Sequence, residues 1–302
     1  MSFFSIIIPT YNRADTIIRA LDSVISQKTS KSFEIILVDD GSYDNTKMLV
    51  HSWMEKNNLN IKYLFQTQLG VSSARNLGVK NSSAEWICFL DSDDEWLPSK
   101  LEAQLQYIQE NPKSRIFQTE EIWIRNGIRV NPHAKHKKCA GSIFLESLEQ
   151  CMITTSSVAI RRDLWEETNG FDPEILACED YDLWLQITCK EEVGLVTEKL
   201  LIRYGGGQDQ LSIKYPVMDR FRIYSILKNW TIFTEEQKNK AANILFAKLK
   251  ILVNGLQKRG KDSKPLQEII SSVENFQQDK ADLTIKENIF DFLLNQHNWN
   301  KT

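Results

Sequence analysis

The sequence of 302 residues predicts an α/β fold, in which a domain with a mostly parallel sheet is followed by a C-terminal helical region. Up to about residue 110, short apolar runs alternate with segments whose apolar residues recur at helical spacing. Strands separated by helices of about 10–15 residues are typical of a parallel sheet. From residue 205 onward, amphipathic helical segments finish the chain. We therefore predict domains over 1–204 and 205–302, with the boundary at a run of three glycines.

The alternating part of the chain contains four predicted strands and four predicted helices. Continuous apolar runs are typical of strands buried on both faces, and they predict strands over Phe4–Ile8, Glu34–Val38, Ile61–Phe65 and Trp86–Leu90. Helical spacing predicts helices around residues 17–25, 49–54 and 72–80. A fourth helix is predicted after Pro98, where Ser99 and Glu102 have the spacing of a capping box.

Beyond residue 120 the pattern is less regular, but single features predict local structure. Asn126-Gly127 between alternating residues predicts a β-hairpin. A strand is predicted from Ser156, and Thr234 with Gln237 is predicted to open a long helix. The basic segment 133–138 lacks apolar anchors, and we expect a mobile loop there.

Composition excludes several classes of function. The net charge is −3, whereas nucleic-acid-binding proteins usually carry an excess of basic residues. The five cysteines are scattered and form no CxxC motif, which indicates reduced thiols rather than a disulfide or zinc framework. No run approaches the ~18 uncharged apolar residues of a membrane span. We therefore expect a soluble, cytoplasmic protein, with peripheral contact to the inner face of a membrane left open.

The predicted fourth strand runs directly into a cluster of carboxylates, in the stretch WICFLDSDDEW. Asp91, Asp93, Asp94 and Glu95 lie within five residues. Like charges this close repel one another, and each costs desolvation free energy unless a cation compensates it. Taken alone, the cluster fits either a solvated turn that caps the next helix or a divalent metal site.

Two other predicted strands also end in polar groups. Residues Pro9–Arg13 follow the first strand, and Asp39 and Asp40 follow the second. Ligands of open α/β sheets bind beyond the carboxyl ends of the strands. Carboxylate oxygens suit Mg²⁺ or Mn²⁺, which proteins usually hold by one or two carboxylates plus substrate phosphates. The three strand ends together therefore predict a metal site for a phosphorylated ligand.

Six motifs, in this order, resemble those of the family 2 inverting glycosyltransferases of the GT-A fold. They are IIIPTYNR, ILVDDGS, GVSSARNLG, FLDSDDEW, NGFDP and EDYDLWL, over about residues 3–225. The resemblance implies a Rossmann-like nucleotide-diphospho-sugar transferase domain. It also implies transfer of a sugar from a nucleotide-sugar donor, most often a UDP-sugar, to an acceptor hydroxyl of a surface glycan or lipid-linked saccharide. Mn²⁺ or Mg²⁺ would be the cofactor.

The resemblance also assigns roles to single residues. Those implied to bind the donor nucleotide are Pro9, Tyr11, Arg13, Asp39, Asp40, Arg75, Asp91 and Ser92. Pro9 and Tyr11 would stack on the base, Asp40 would read it, and Arg75 would contact the diphosphate. Asp91 and Asp93 match the DxD signature. Asp91 would contact the ribose, Asp93 together with Asp91 would hold the metal, and Asp94 would support them. The structural alternatives are a strand-ending turn at Asp39-Asp40 and a surface arginine at Arg75.

The acidic pair Glu179-Asp180 is the predicted catalytic motif. An acceptor hydroxyl is a poor nucleophile and needs a base within hydrogen-bond reach, and the resemblance assigns that role to Asp180. Alternatively, the two carboxylates begin a helix and favour its N-terminal dipole. The two roles are compatible, because the first turn of a helix holds a catalytic side chain in a fixed position. A single base with direct displacement implies inversion of the anomeric configuration.

The chain departs from the family pattern at two positions. Gln186 stands where an arginine is frequent, and Gln208 stands where a histidine could help the metal or the diphosphate. Glu179, Trp184 and Gln208 are therefore candidate contacts with acceptor or diphosphate. The aromatic and basic residues of 220–230, with loop 133–138, could hold an anionic acceptor, or that helix could simply pack.

Two other functions remain compatible with the fold. A sugar nucleotidyltransferase would need a glycine-rich loop after the first strand, which PTYNRADT lacks. A catalytically inactive nucleotide-sugar-binding or scaffold protein would not need Asp91, Asp93 and Asp180 intact.

Overall fold

A computed structural model describes residues 2–59, 61–131, 133, 136–207, 214–277 and 287–299. The chain divides into two compact units. The first consists of Met1–Ile143, Met152–Pro173 and Glu191–Gly207, and the second of Phe144–Cys151, Glu174–Lys190 and Gln208–Thr302. The second unit thus contains two segments from before residue 204, which differs from the single boundary predicted there.

The first unit is built on one mixed sheet. Its strands are β1 Phe4–Thr10, β2 Phe33–Asp39, β3 Lys62–Phe65, β4 Trp86–Phe89, β5 Glu95–Trp96, β6 Ile116–Arg125, β7 Ile128–Val130, β8 Val158–Arg161 and β9 Gly194–Gly205. The strand order is β3-β2-β1-β4-β8-β6-β9-β5, with β7 paired to β6. The half from β3 to β4 is parallel, as predicted. β8 is antiparallel to both of its neighbours, and β6 is parallel to β9.

Helices follow the strands of the parallel half and complete the predicted α/β alternation. The helices of the chain are α1 Ile17–Ile25, α2 Thr46–Asn57, α3 Val71–Lys80, α4 Lys100–Glu110, α5 Phe144–Glu149, α6 Arg162–Glu166, α7 Glu179–Thr188, α8 Asp219–Lys228, α9 Glu235–Gln257, α10 Lys264–Gln277 and α11 Glu287–Leu294. β1 is buried along its whole length, as its continuous apolar run predicts. A Cβ at Gly78 would clash with Ile7, so glycine lets α3 approach β1 closely.

Local turn and cap signals are confirmed in two of three places. Asn126 and Gly127 have φ of 50° and 76° and join β6 to β7, as the hairpin signal predicts. Thr234 and Gln237 form the full capping box of α9. The capping box at Ser99 is wrong, because Ser99 makes no side-chain cap. Glu102 instead accepts a hydrogen bond from the backbone N–H of Ser30, at 2.8 Å.

The second unit is a helical assembly with its own core. Residues of α5 and α7, including Phe144 and Tyr181, share this core with α8 through α11. Their apolar faces explain why two early segments group with the C-terminal helices. In the described part of the chain, no helix is long and apolar enough to cross a membrane.

Of the two alternatives for the helix over 220–230, an acceptor-binding cationic face and simple packing, α8 follows the second. Arg220 is fully buried and donates to the carbonyl oxygens of Leu293 and Leu294, at 2.8 and 3.2 Å. Arg222 is paired with Asp219. Since packing within the unit uses most of its surface, α8 is a structural helix.

The predicted mobile loop 133–138 ends in a buried residue. Lys138 is buried, and its Nζ lies 2.8 Å from a carboxylate oxygen of Glu121. Residues 134 and 135 lie outside the described part of the chain. A partner carboxylate on a strand was not visible from the composition of the loop alone.

Candidate active site

The loops that follow β1 and β2 are held together by hydrogen bonds. The N–H of Asn12 donates to Ser42 Oγ at 2.9 Å, and the N–H of Tyr43 donates to Asn12 Oδ1 at 3.0 Å. The N–H of Arg13 donates to Thr46 Oγ1 at 2.8 Å. Asn12 adopts a positive φ of 51°, which asparagine tolerates better than most residues. The two strand ends therefore form one rim, as expected from the parallel pairing.

Asp39 is a buried residue that braces this rim. Its Oδ1 accepts from the N–H of Ser42 at 2.8 Å, and its Oδ2 accepts from the hydroxyl of Tyr63 at 2.5 Å. Burial and the charge of Asp39 raise the pKa of Tyr63 well above its usual range, so the phenol keeps its proton and remains a donor. The turn alternative is thus realised for Asp39.

Asp40 holds the loop that leads into α3. Its Oδ1 accepts from Gln66 Nε2 at 2.6 Å and from the N–H of Leu69 at 2.7 Å, while Oδ2 accepts from the N–H of Gly70 at 2.9 Å. Both oxygens are therefore engaged with the protein. If Asp40 binds the nucleobase of a donor, it must do so through the lone pairs of its carboxylate oxygens that these hydrogen bonds leave over.

The aromatic wall of the rim differs from the one predicted. Pro9 lies within β1 and is buried, so it offers no open surface for stacking. Tyr11 is half-buried, and its hydroxyl accepts from Gln68 Nε2 at 2.8 Å. Tyr43 stands edge-on to Tyr11, with ring centroids 6.2 Å apart, and is 84% exposed. Gln68 and Tyr43 were missed because neither forms a recognisable motif with Tyr11.

Arg75 is a buried, paired arginine rather than a surface one. Its Nη2 lies 2.7 Å from Asp91 Oδ1, and its side chain is 5% exposed against 32% for Asp91. The guanidinium lies 4.9 Å from the ring centroid of Phe171. The side chain of Asn76 bonds to the backbone N–H and C=O of Phe171. These contacts place the SSARN and NGFDP motifs beside the first residue of the DxD signature.

Asp94 lies behind the DxD signature and is almost fully buried. Its Oδ2 accepts from Ser156 Oγ at 2.6 Å, and its Oδ1 accepts from the N–H of Tyr204 at 3.2 Å. Burial, followed by the charges of Asp93 and Asp91, raises the pKa of Asp94 well above its usual range. Ser156 Oγ also accepts from the N–H of Asp91 at 3.0 Å. The supporting role expected of Asp94 thus depends on Ser156, which no motif marked.

Asp93 and its loop are anchored from α1. Arg19 Nη2 donates to the carbonyl oxygen of Asp93 at 2.6 Å, and its guanidinium stacks 3.7 Å from the ring centroid of Tyr204. Along this loop, Asp91 and Asp93 are half-buried while Ser92 and Asp94 are buried. The alternation leaves the two DxD carboxylates as the accessible pair, and turns Ser92 inward.

The donor set at this loop fits a divalent ion of the magnesium type. Carboxylate oxygens at Asp91 and Asp93 are the ligands such ions prefer. Among the described residues, no group of three or more His, Cys, Asp or Glu side chains could hold an ion by itself. An ion here would need further oxygens from a bound phosphate.

Asp180, the predicted catalytic base, lies in the second unit, at the start of α7. Cys178, the residue before the helix, has a positive φ of 63°. Asp180 Oδ1 accepts from the N–H of Tyr181 at 2.8 Å, and its Oδ2 accepts from Cys151 Sγ at 3.2 Å. Glu179 is buried, whereas Asp180 is half-buried. Each Asp180 oxygen is thus oriented by one donor and keeps a lone pair for a proton.

The rest of the EDYDLWL motif is structural. Asp182 is fully buried and accepts from Lys228 Nζ at 2.9 Å, Asn229 Nδ2 at 2.9 Å and Gln186 Nε2 at 3.1 Å. Gln186, the departure from the family pattern, therefore donates one of the hydrogen bonds that satisfy a buried carboxylate. Trp184 is 1% exposed, so its prediction as an acceptor contact is wrong. Gln208 lies outside the described residues.

Comparison with known proteins identifies the family. The family model described as "Glycosyl transferase family 2" matches residues 5–166, which is more than half of the chain. The chain belongs to glycosyl transferase family 2. This confirms the family resemblance, and the match spans the first four of the six motifs.

Curated relatives of this family 2 glycosyltransferase cover it to different extents. The UDP-Glc:alpha-D-GlcNAc-diphosphoundecaprenol beta-1,3-glucosyltransferase WfgD of Escherichia coli is 30% identical over 86% of this chain and 96% of its own length. The amylovoran biosynthesis glycosyltransferase AmsB of Erwinia amylovora is 29% identical over 70% of this chain and 74% of its own. An uncharacterized glycosyltransferase of Rickettsia felis is 34% identical over 67% of this chain. The chain spans only about a third of that Rickettsia protein's length.

Solved structures confirm the GT-A fold of this family 2 glycosyltransferase. A crystal structure of S. aureus TarS 1-349 in complex with UDP has a TM-score of 0.62 and 23% identity, covering 82% of this chain and 70% of that one. The complex with UDP-GlcNAc has a TM-score of 0.62 and 20% identity, covering 92% of each chain. At this level of identity, the likeness concerns the fold alone.

Proposed function

We propose that the protein transfers a sugar from a UDP-sugar to a hydroxyl of a lipid-linked saccharide during surface polysaccharide assembly, with inversion at the anomeric carbon. The observation that carries the proposal is the pair of accessible DxD carboxylates beyond β4, with Asp91 paired to Arg75 at 2.7 Å. Two relatives support the substrate class: the name of WfgD specifies a UDP-glucose donor and a diphosphoundecaprenol-linked acceptor, and that of AmsB specifies amylovoran biosynthesis.

The donor would be held along the rim of the first unit. Tyr11 would stack on the base with Tyr43 beside it, and Asp40 would fix the loop through which the base is recognised. Asp93, together with Asp91, would hold Mn²⁺ or Mg²⁺. Such an ion, when bound, supplies positive charge to the leaving diphosphate. Arg75, already oriented by Asp91, would share the stabilisation of that charge.

The proton of the acceptor hydroxyl would be taken by Asp180. As the acceptor oxygen forms its bond to the anomeric carbon, the bond from that carbon to the donor phosphate breaks on the opposite face. The proton passes to Asp180, and the nucleoside diphosphate leaves with the bonding electrons. Direct displacement of this kind inverts the anomeric configuration, so NMR of the product distinguishes it from a retaining mechanism.

Asp93→Ala tests the metal. We expect the wild-type melting temperature to rise more with UDP plus Mn²⁺ than with UDP alone, because Asp93 and Asp91 would hold the ion and its charge would favour binding of the diphosphate. Asp93→Ala should lose this increment and nearly all transfer. Glu274→Ala, which removes an exposed carboxylate on α10 of the second unit, is the control. Full transfer by Asp93→Ala in EDTA would show the metal proposal to be wrong, and donor binding without turnover by the wild type would favour an inactive sugar-nucleotide-binding protein.

A further inference from the structure

The first unit contains a cavity of about 250 Å³ to which the proposed donor site assigns no role. It lies between β6 and residues 133 and 136–138. Its lining residues are Glu120, Glu121, Trp123, His133, His136, Lys137 and Lys138. Pockets for drug-sized ligands have volumes of roughly 300–1,000 Å³, so the cavity suits something smaller, the size of a single sugar residue.

An irregularity in β6 brings two neighbouring carboxylates to this cavity. The register of β6 against β9 shifts between Thr119 and Glu120 and again between Glu120 and Glu121. Consecutive residues of a regular strand point to opposite faces. Bulges re-aim side chains and are frequent beside active sites. Here the irregularity coincides with Glu120 and Glu121 both lining one cavity.

The floor of the cavity is a buried ion pair with its partners in place. Lys138 Nζ lies 2.8 Å from Glu121 Oε2, and the two side chains are only 4% and 5% exposed. Lys138 Nζ also donates to the carbonyl oxygen of Thr119 at 2.9 Å and to Ser157 Oγ at 2.8 Å. Glu121 Oε1 accepts from Trp123 Nε1. A floor satisfied in this way is rigid and close to neutral.

The upper wall carries groups that can still meet a ligand. Glu120 is half-buried, and His133 and Lys137 are exposed. Their carboxylate, imidazole and ammonium groups offer both acceptors and donors. The ring centroids of Trp123 and His136 lie 5.5 Å apart with the rings tilted by 44°, so the wall also offers an aromatic surface. Arg203, at the edge near Trp123, is about half exposed, so solvent screens its charge.

The balance of charge selects the class of ligand. The carboxylates of Glu120 and Glu121 cancel the ammonium groups of Lys137 and Lys138 in formal charge. An anionic ligand would therefore meet two carboxylates, and a cationic one two ammonium groups. A neutral ring with several hydroxyls can donate to the carboxylates, accept from the ammonium and lie against the aromatic surface. This is the chemistry of a neutral sugar.

The cavity is connected to the DxD loop through two consecutive serines. Ser157 Oγ accepts from Lys138 on the cavity floor. Ser156 Oγ donates to Asp94 and accepts from the N–H of Asp91. The two hydrogen-bonded sites thus meet on one short turn, Thr155–Ser157. We propose that this cavity binds a neutral sugar residue of the acceptor saccharide, an inference that rests on the proposed function.

Direct binding is the first test. Saturation-transfer NMR on the full chain, with UDP present to fill the donor site, uses D-glucose, D-galactose and N-acetyl-D-glucosamine as probes. D-glucuronate and inorganic phosphate are the anionic comparators. At least one neutral sugar should bind, and more tightly than either anion. Failure of all three neutral sugars to bind would overturn the proposal, and so would preference for glucuronate or phosphate.

Matched variants locate the binding. Glu120→Gln and Lys137→Ala each remove one charged group of the wall. Each should lower the affinity for the neutral sugar about tenfold, equivalent to about 1.4 kcal/mol. Arg129→Ala, an exposed site on β7 outside the cavity lining, is the control and should match the wild type. Equal affinities for the three variants would show that the sugar binds elsewhere and would overturn the proposal.

Kinetics separate this inference from the proposed function. With an octyl N-acetylglucosaminide acceptor, the acceptor KM of Glu120→Gln and Lys137→Ala should rise about tenfold, while the donor KM stays at the wild-type value. A parallel rise of both KM values would contradict an acceptor subsite. If the wild type binds neither UDP nor a UDP-sugar, the proposed function fails. If it binds UDP but no neutral sugar, only the cavity inference fails.

Discussion

Asp180 shows how much of a single residue's behaviour depends on neighbours distant in sequence. Its two oxygens accept from the N–H of Tyr181 and from Cys151 Sγ. Burial, with the charge of Asp180 as the next cause, raises the pKa of the Cys151 thiol well above its usual range. The same two causes raise the pKa of Cys178 to about 12. Both thiols therefore stay protonated, and Cys151 remains a hydrogen-bond donor to the carboxylate.

Cys151 is accordingly expected to position the proposed base. Asp180→Asn should lower transfer by roughly 10²–10⁴. Cys151→Ala, which removes one hydrogen bond worth about 1 kcal/mol, should lower kcat several-fold with donor KM unchanged, and Cys151→Ser should restore it.

The double variant separates positioning from general damage. In the Asp180→Asn background, Cys151→Ala should have no further effect, because the two changes act through one group. Cys189→Ala, whose thiol donates to a carbonyl oxygen within α7, is the control. Additive losses in the double variant would mean that Cys151 acts independently of Asp180.

Lys100 is a buried charge outside the site and makes stability depend on pH. Burial lowers its pKa from 10.5 to about 7, with the neighbouring charge of Lys138 acting in the same direction and Cys88 opposing it. Its Nζ lies over the Trp96 ring and 3.4 Å from the carbonyl oxygen of Ser157. Between about pH 7 and 10, the unfolded chain therefore binds more protons than the folded one. The free energy of unfolding is therefore highest above the unfolded pKa, where Lys100 is neutral in both states, and it falls as the pH is lowered toward 7.

Lys100→Met should remove that pH dependence. We expect the variant to be more stable than the wild type at pH 7 by roughly 1–4 kcal/mol, the range seen when buried charges are replaced by apolar groups. The advantage should shrink by pH 10. Urea unfolding at the two pH values measures it, with the exposed Lys113→Met as control. A difference that does not change with pH would contradict the assignment.

At the scale of elements, α7 and α8 are joined by a buried polar contact. Asp182 on α7 accepts from Lys228 at the end of α8, from Asn229 just beyond it, and from Gln186. Hydrogen bonds to a buried charge are worth more than neutral ones, and a partner left unsatisfied costs free energy. The contact therefore fixes where α7, and with it Asp180, begins relative to α8.

Lys228→Met should destabilise this arrangement. We expect a loss of roughly 1–3 kcal/mol in the free energy of unfolding, since the buried Asp182 loses its cationic partner. Lys240→Met breaks an exposed pair with Glu236 four residues away and should cost only about 0.3–0.5 kcal/mol. Equal losses in the two variants, measured by urea unfolding, would show that the Asp182 contact contributes no more than a surface pair.

Elements governed by local rules were predictable, and those governed by distant contacts were not. The four parallel-half strands, the Asn126-Gly127 hairpin and the α9 capping box follow from spacing within a few residues. The Ser99 capping box failed because Glu102 bonds to Ser30, 72 residues away. Ser156 was missed for the same reason, since its partner Asp94 is 62 residues distant. Local pattern could place the DxD carboxylates at a strand end, but not the groups that support them.

Burial divides the predicted site residues into those that a ligand could reach and those that lie in the core. Asp91, Asp93 and Asp180 end or begin elements, where a side chain can stay accessible, and all three are half-buried. Pro9 and Trp184 lie inside elements and are buried. A motif shows that a residue type recurs at a position, but it does not distinguish a contact with substrate from a contact with the core.

At the scale of the whole molecule, the division into units contradicts a simple cut near residue 204. A fragment ending at residue 207 contains α5 and α7 but lacks α8 through α11, which complete their core. Leaving such faces exposed favours aggregation. We expect fragment 1–207 to be insoluble or to bind a hydrophobic dye strongly, whereas the full chain should do neither. A soluble fragment with a cooperative thermal transition would show that the first unit folds without the C-terminal helices.

The discontinuous second unit has a consequence for synthesis of the protein in a cell. Translation proceeds at ~5–20 residues per second, so α5 leaves the ribosome roughly 5–20 s before the end of α9 is made. During that interval the apolar faces of α5, and then of α7, cannot be covered by their final partners. In the sequence, α5 and α7 lie between segments of the first unit, and the sheet of that unit is completed only when β9 is made. The nascent chain therefore presents binding sites for chaperones through much of its elongation, and slow translation downstream of residue 190 would lengthen that exposure.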